Sequence, residues 1–185
     1  MPFEFSKTDI SEVVRVKPRI FNDERGAFAE LFKLGDFAEI GVDRPLTQVN
    51  FSSSSKNVLR GLHYQNPPKA QAKLVRCDNG EVFDVAVDIR KGSPTFGKWV
   101  GETLSADRKN MLYIPQGFAH GFCVLSEEAE VVYFCDEQYS PDDEGGILWS
   151  DSEIGIDWPV SDPVLSDRDA QFPSLASARN NFRYV

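Results

Sequence analysis

Val82-Phe83-Asp84-Val85-Ala86-Val87-Asp88-Ile89-Arg90 is the stretch on which the fold turns. Phe83, Val85, Val87 and Ile89 alternate with Asp84, Ala86, Asp88 and Arg90, the two-residue period of a β-strand with one apolar face. Shorter runs of the same kind occur at Lys73–Arg76, Met111–Ile114, Phe122–Leu125 and Glu130–Cys135. Asn79-Gly80, Lys91-Gly92-Ser93-Pro94 and Pro115-Gln116-Gly117 separate them as turns. Many short strands at close intervals predict a sandwich or barrel rather than alternating strands and helices. Helix signals are few. Leu34–Ile40 is expected to form one short helix ending at Gly41, and Ser166 or Pro173 to start others. The last twenty residues, rich in Ser, Asp, Arg and Asn, read as a partly helical extension on the barrel.

A chain of 185 residues, 41% hydrophobic and 12% aromatic, is enough for one domain spanning 1–185 with a sizeable core. The net charge of −9 opposes nonspecific binding to nucleic acid or to an anionic membrane, since both need a positive field. A local basic pocket remains compatible with it. Met1-Pro2-Phe3-Glu4-Phe5-Ser6-Lys7 lacks the basic-then-apolar order of a leader, and no apolar run approaches the length of a bilayer span. Cys77, Cys123 and Cys135 are odd in number and set among apolar neighbours, as expected of buried reduced thiols in a cytoplasmic protein.

The chain has only two histidines, each inside a dense motif: Leu59-Arg60-Gly61-Leu62-His63-Tyr64-Gln65 and Ile114-Pro115-Gln116-Gly117-Phe118-Ala119-His120-Gly121-Phe122. Histidine titrates nearest neutral pH, so it is the usual general base and the commonest metal ligand. Two separated histidines hardly supply a three-histidine metal site, but they suffice for acid–base chemistry. Arg60, Tyr64 and Gln65 crowd His63, a costly set of polar groups for an ordinary core. Strict alternation sends Arg60 and His63 to opposite faces; they share one pocket only if Gly61 bends the strand.

With Phe21-Asn22-Asp23-Glu24-Arg25-Gly26, Gln48-Val49-Asn50-Phe51-Ser52, Asp84–Arg90, Ser140-Pro141, Ile156-Asp157-Trp158-Pro159 and Leu165-Ser166-Asp167-Arg168-Asp169, the two histidine motifs give the chain a strong likeness. It resembles the dTDP-4-dehydrorhamnose 3,5-epimerase family from residue 21 to residue 169. The resemblance implies an all-β fold, a double-stranded β-helix (cupin jelly roll) with a few short helices mainly near the C-terminus. It also implies a homodimer, no cofactor, no metal, and a dTDP-linked 4-keto-6-deoxyhexose as substrate.

The family match makes His63 the general base and puts Asp169 beside it, where a carboxylate would orient the imidazole. By sequence alone, Ser166-Asp167-Arg168-Asp169 has the form of a helix capping box. Lys73 reads as a solvated charge at a strand edge, while the resemblance turns it into the pocket to stabilise an enolate oxygen. Tyr133, in the apolar run Val131-Val132-Tyr133-Phe134-Cys135, reads as a core tyrosine; the family match makes it the general acid. His120 either packs or adds a pocket donor. Arg25, Glu30, Gln48, Asn50, Arg60, Glu144 and Arg168 match positions that contact the nucleotide-sugar, and Tyr139 an aromatic near the thymine–sugar pocket. Two departures are Gln138, where many relatives carry an aromatic, and Arg168, where many carry lysine.

The implied reaction inverts carbons 3 and 5 of dTDP-4-dehydro-6-deoxy-D-glucose through enolates. The same residues would serve an enzyme of another deoxysugar pathway that inverts one carbon only. A metal-dependent cupin oxygenase is opposed by the lack of a histidine two residues from His63. A non-catalytic sugar-nucleotide-binding cupin is opposed by the joint presence of His63, Lys73 and Tyr133.

Overall fold

The computed structural model describes residues 2–184. Its strands are β1 (Phe3–Lys7), β2 (Val14–Pro18), β3 (Phe21–Asp23), β4 (Gly26–Phe28), β5 (Gln48–Ser55), β6 (Leu59–Gln65), β7 (Lys73–Asn79), β8 (Glu81–Asp88), β9 (Trp99–Ser105), β10 (Met111–Ile114), β11 (Phe118–Val124), β12 (Glu128–Cys135) and β13 (Glu144–Gly146). Six of them form one sheet in the order β1-β2-β10-β7-β12-β5, and five form a second in the order β13-β6-β11-β8-β9. The short β3–β4 hairpin stands apart. The two packed sheets agree with the sandwich or barrel that the spacing of strands and turns predicts, and with the jelly roll that the resemblance implies.

The layer between the sheets is apolar. Val75, Leu112, Ala129 and Val131 of one sheet meet Val82, Ala86, Leu104, Phe118 and Phe122 of the other. Branched and aromatic side chains fit such a pleated, buried surface.

The expectation of a single apolar face on β8 needs correction, because both faces are buried. Val85, Val87 and Ile89 point away from the six-stranded sheet and lie beneath Ile147, Ile154, Leu175 and Phe182 of the C-terminal segment. Asp84 and Asp88 are fully buried on the other side. Asp88 accepts hydrogen bonds from Arg90 (2.7 and 2.9 Å), Ser93 (2.5 Å) and Thr95 (2.6 Å). Burial alone would raise the Asp88 pKa; these donors outweigh it and hold the carboxyl below its ordinary value.

Leu34–Phe37 is a single α-helical turn (α1) that runs into a 3₁₀ turn at Ala38–Ile40 and stops at Gly41 with φ +87°, as expected. Ser166 also heads a turn, a 3₁₀ segment at Asp169–Gln171. No helix starts at Pro173: residues 174–178 make a hydrogen-bonded turn, and the C-terminal extension is held by side chains instead. The Tyr64 hydroxyl donates to the Arg179 carbonyl (2.8 Å), and the Asn180 amide donates to the Ile89 carbonyl. All three cysteines are buried free thiols. Among the described residues, no helix is long and apolar enough to cross a membrane.

Candidate active site

β6 and β11 lie side by side with His63 opposite His120, and their pairing is interrupted by a bulge between His120 and Phe122. Gly61 sits in that irregularity with φ +136°, and a Cβ there would stand 2.6 Å from the Gly121 Cα. Only glycine satisfies both the backbone angle and the close approach. The bend turns Arg60 and His63 toward the same cavity, which strict alternation would forbid.

The cavity has two recesses. A recess of about 200 Å³ is lined by Ser52, Arg60, His63, Lys73, His120 and Tyr133. An adjoining one of about 220 Å³ carries Gln48, Asn50, Gln65, Tyr139 and Glu144, and again His63, Lys73 and Tyr133. The two sheets supply different groups. His63 and His120 come from the five-stranded sheet, and Lys73, Tyr133, Gln48 and Asn50 from the six-stranded one.

His63 is half-buried, and its Nε2 lies 2.8 Å from Oδ1 of the buried Asp169. The other carboxylate oxygen accepts the Gly61 N–H at 3.2 Å. Burial would raise the Asp169 pKa, but the bonds from His63, Gly61 and Ser166 leave it below the ordinary carboxylate value. An ionised carboxylate can only accept, so Nε2 carries the ring proton and Nδ1 is the basic nitrogen. The capping-box reading of this segment is half realised. The Asp169 N–H does donate to Ser166 Oγ (3.1 Å), yet the carboxylate turns to His63 instead of back to the turn.

Lys73 is not at an edge. β7 lies between β10 and β12, and the lysine is 8% exposed. Its Nζ stands 5.8 Å from the centre of the Tyr133 ring. Burial lowers its pKa, against the pull of Cys135, Asp84 and Glu144. Tyr133 faces the cavity on the same side of β12 as Val131 and Cys135, and burial raises its pKa, so the phenol is protonated at neutral pH. His120 is buried, with Nε2 2.7 Å from Oδ1 of the fully buried Asp84. Burial lowers the His120 pKa, with Lys73 and His63 adding to the effect and Asp84 opposing it.

At the mouth, Arg168 pairs with Glu144, whose other oxygen accepts the Tyr139 hydroxyl at 2.7 Å. Arg60 donates to Ser54 Oγ at 3.1 Å. Two expected residues are elsewhere. Arg25 is exposed at the tip of the β3–β4 hairpin and binds Asp23, and Glu30 is exposed just beyond β4. Within one chain, neither lines the cavity. Gln138 is exposed, and it is its backbone carbonyl that engages the site, through Gln65.

Asp84 and Ser52 were not picked out as site residues. Both were in principle readable, because Asp84 alternates with the apolar face of β8 and Ser52 continues the Gln48–Asn50 period along β5. Among the described residues, no group of three or more His, Cys, Asp or Glu side chains is placed to hold a metal ion.

Comparison with known proteins points to one family. The sequence model of the family described as dTDP-4-dehydrorhamnose 3,5-epimerase matches residues 7–177. The dTDP-4-dehydrorhamnose 3,5-epimerase of Shigella flexneri is 60% identical over 164 residues, covering 88% of this chain and 91% of that protein. That of Salmonella typhimurium is 56% identical over 93% of this chain and 95% of its own length. A crystal structure of dTDP-6-deoxy-D-glucose-3,5-epimerase from Legionella pneumophila Philadelphia 1, in complex with dTDP-4-keto-L-rhamnose, superimposes with a TM-score of 0.94 at 46% identity, covering 99% of each chain.

Proposed function

This chain belongs to the dTDP-4-dehydrorhamnose 3,5-epimerase family, and we propose that its cavity performs the family's reaction with His63 as base and Tyr133 as acid. The activity is an isomerisation of dTDP-4-dehydro-6-deoxy-D-glucose to dTDP-4-dehydro-L-rhamnose by inversion at carbons 3 and 5. Each inversion begins with loss of a proton beside the C4 ketone. Nδ1 of His63 takes that proton, and Asp169 stabilises the imidazolium through Nε2. The electron pair moves onto the C4 oxygen, where the buried Lys73 Nζ supplies positive charge. The Tyr133 hydroxyl then returns a proton to the opposite face of the carbon, and exchange with solvent resets both groups. The oxidation state is unchanged throughout, so the sequence of steps closes without a redox cofactor.

One observation carries this reading: His63, oriented by Asp169, and the protonated phenol of Tyr133 project from facing sheets onto the same recess. Gln48, Asn50, Arg60, His120, Tyr139, Glu144 and Arg168 would hold the nucleotide-sugar, with the arginines suited to a diphosphate. The reading also includes a cytoplasmic homodimer built from a single domain. β5 is a sheet edge with Val49 and Phe51 exposed, and the β3–β4 hairpin exposes Phe21 and Phe28. A second copy covering these surfaces would also give Arg25 and Glu30 a route to a cavity mouth.

The test is incubation with the dTDP-4-keto sugar in deuterated water, followed by NMR. Deuterium should enter at both carbons with wild-type protein and at neither with His63→Asn. Normal exchange in that variant would remove His63 from the role of base.

A further inference from the structure

Gln65 ends β6, two residues beyond His63, and is 3% exposed. Nothing in the proton transfers uses it. Its side chain is nevertheless spent on backbone groups of two loops. Nε2 donates to the Lys69 carbonyl (2.6 Å) and to the Gln138 carbonyl (3.2 Å), while Oε1 accepts the Ser140 N–H (2.8 Å). The main chain of Gln65 pairs with Glu144 across β6 and β13. The loop at residues 138–140 is therefore tied to this one side chain, and its continuation to Glu144 to the main chain of the same residue. Tyr139 lies between the two backbone groups that Gln65 holds, and its own N–H is tied to Gln48 Oε1 at 2.8 Å.

We infer that Gln65 is a positioning residue that holds Tyr139 and Glu144 against the cavity, and so sets affinity for the nucleotide-sugar without taking part in proton transfer. This rests on the reading above that Tyr139 lines the substrate's seat. A glutamine is specifically required: the site needs two donations and one acceptance in a single plane, and an amide alone among neutral side chains of this size supplies them. Tyr139 is half exposed; beyond the bond from its hydroxyl to Glu144, its placement depends on the backbone on either side.

The test is a double-mutant cycle read by dTDP affinity and by steady-state kinetics on the 4-keto sugar. Gln65→Met keeps the volume and leaves three backbone groups unpaired. It should raise KM and the dTDP dissociation constant on the order of tenfold, with kcat within about twofold of wild type. In a Tyr139→Ala background the same change should have little further effect, because the wall it positions is already gone. Gln65→Glu, which keeps the shape, provides a second arm. An ionised carboxylate would face two carbonyl oxygens, so dTDP binding relative to wild type should be weak at pH 8 and recover as the pH falls and the acid gains a proton to donate. If Tyr139→Ala alone leaves affinity unchanged, the assignment of Tyr139 fails and takes this inference with it. If Tyr139→Ala weakens binding but the two effects simply add, or if Gln65→Met lowers kcat and spares KM, this inference alone is overturned.

Discussion

Replacing Asp169 by asparagine keeps the shape of the side chain and changes what its two outer atoms can do. In the wild type, one oxygen faces His63 Nε2 at 2.8 Å and the other accepts the Gly61 N–H at 3.2 Å. The amide has one oxygen only. If that oxygen stays on Gly61, the NH₂ group points at Nε2, the imidazole must accept there, and its proton moves to Nδ1, the atom assigned to take up the sugar proton. If the amide flips, the productive tautomer survives, but two N–H groups oppose each other in a buried place. Leaving a buried donor unmet costs about 1–3 kcal/mol, so the productive arrangement falls to roughly a tenth to a hundredth of molecules. The neutral amide also stabilises the imidazolium less than a carboxylate does. The difference between charged and neutral hydrogen bonds is about 1 kcal/mol, a further factor of roughly five to ten. Together these predict that Asp169→Asn slows deuterium incorporation at both carbons by about 10²–10³-fold. The assay is single-turnover exchange in deuterated water followed by NMR, with dTDP affinity as the control for folding. Exchange within about threefold of wild type, with binding intact, would refute the argument that the dyad fixes the tautomer.

Tyr133→Phe should separate two events that His63→Asn stops together: deuterium should wash into unepimerised substrate while little inverted product forms, because the enolate loses its far-face donor. Full-speed inversion, measured by product NMR, would remove Tyr133 from the role of acid. His120 gives a pH prediction with a definite sign. Its folded pKa lies below the ordinary value of 6.5, so the neutral form is favoured on folding. The contribution is complete above pH 6.5 and is lost as the pH falls, because the unfolded chain then binds a proton that the folded one refuses. Over that range wild type should lose stability more steeply than His120→Gln, by up to about 1.4 kcal/mol per pH unit, in urea melts at pH 5.5 to 7.5. Parallel slopes would contradict it.

Strand positions and turns were legible because they follow from local alternation and from glycine-bearing turns such as Asn79-Gly80, whose glycine takes φ +74°. The direction of each face was not. On β8 the more apolar side was the natural candidate for the interior between the sheets, yet the C-terminal segment covers that side, and Asp84 is left within. Such a reversal depends on packing across some sixty to a hundred residues, to which periodicity is blind. The placement of Arg60 beside His63 hung on one glycine, and only the backbone angle at Gly61 decides it. Ser166 and Asp169 fitted a cap so well because half of that cap is present. Arg25 and Glu30 carry the family's motif but reach no cavity in a single chain, and an unaligned sequence does not say which residues act across a subunit boundary.

The partners of the dyad are 106 positions apart, and Asp169 arrives on the segment that closes over the outside of the five-stranded sheet. A nascent polypeptide holds His63, Lys73 and Tyr133 well before it holds the carboxylate that orients the base. Incomplete chains, whether still on the ribosome or clipped in that segment, would therefore lack a competent proton acceptor. They would be silent, rather than half-active species that release sugars inverted at one carbon. Catalytic competence becomes a report that the last layer of the barrel has docked.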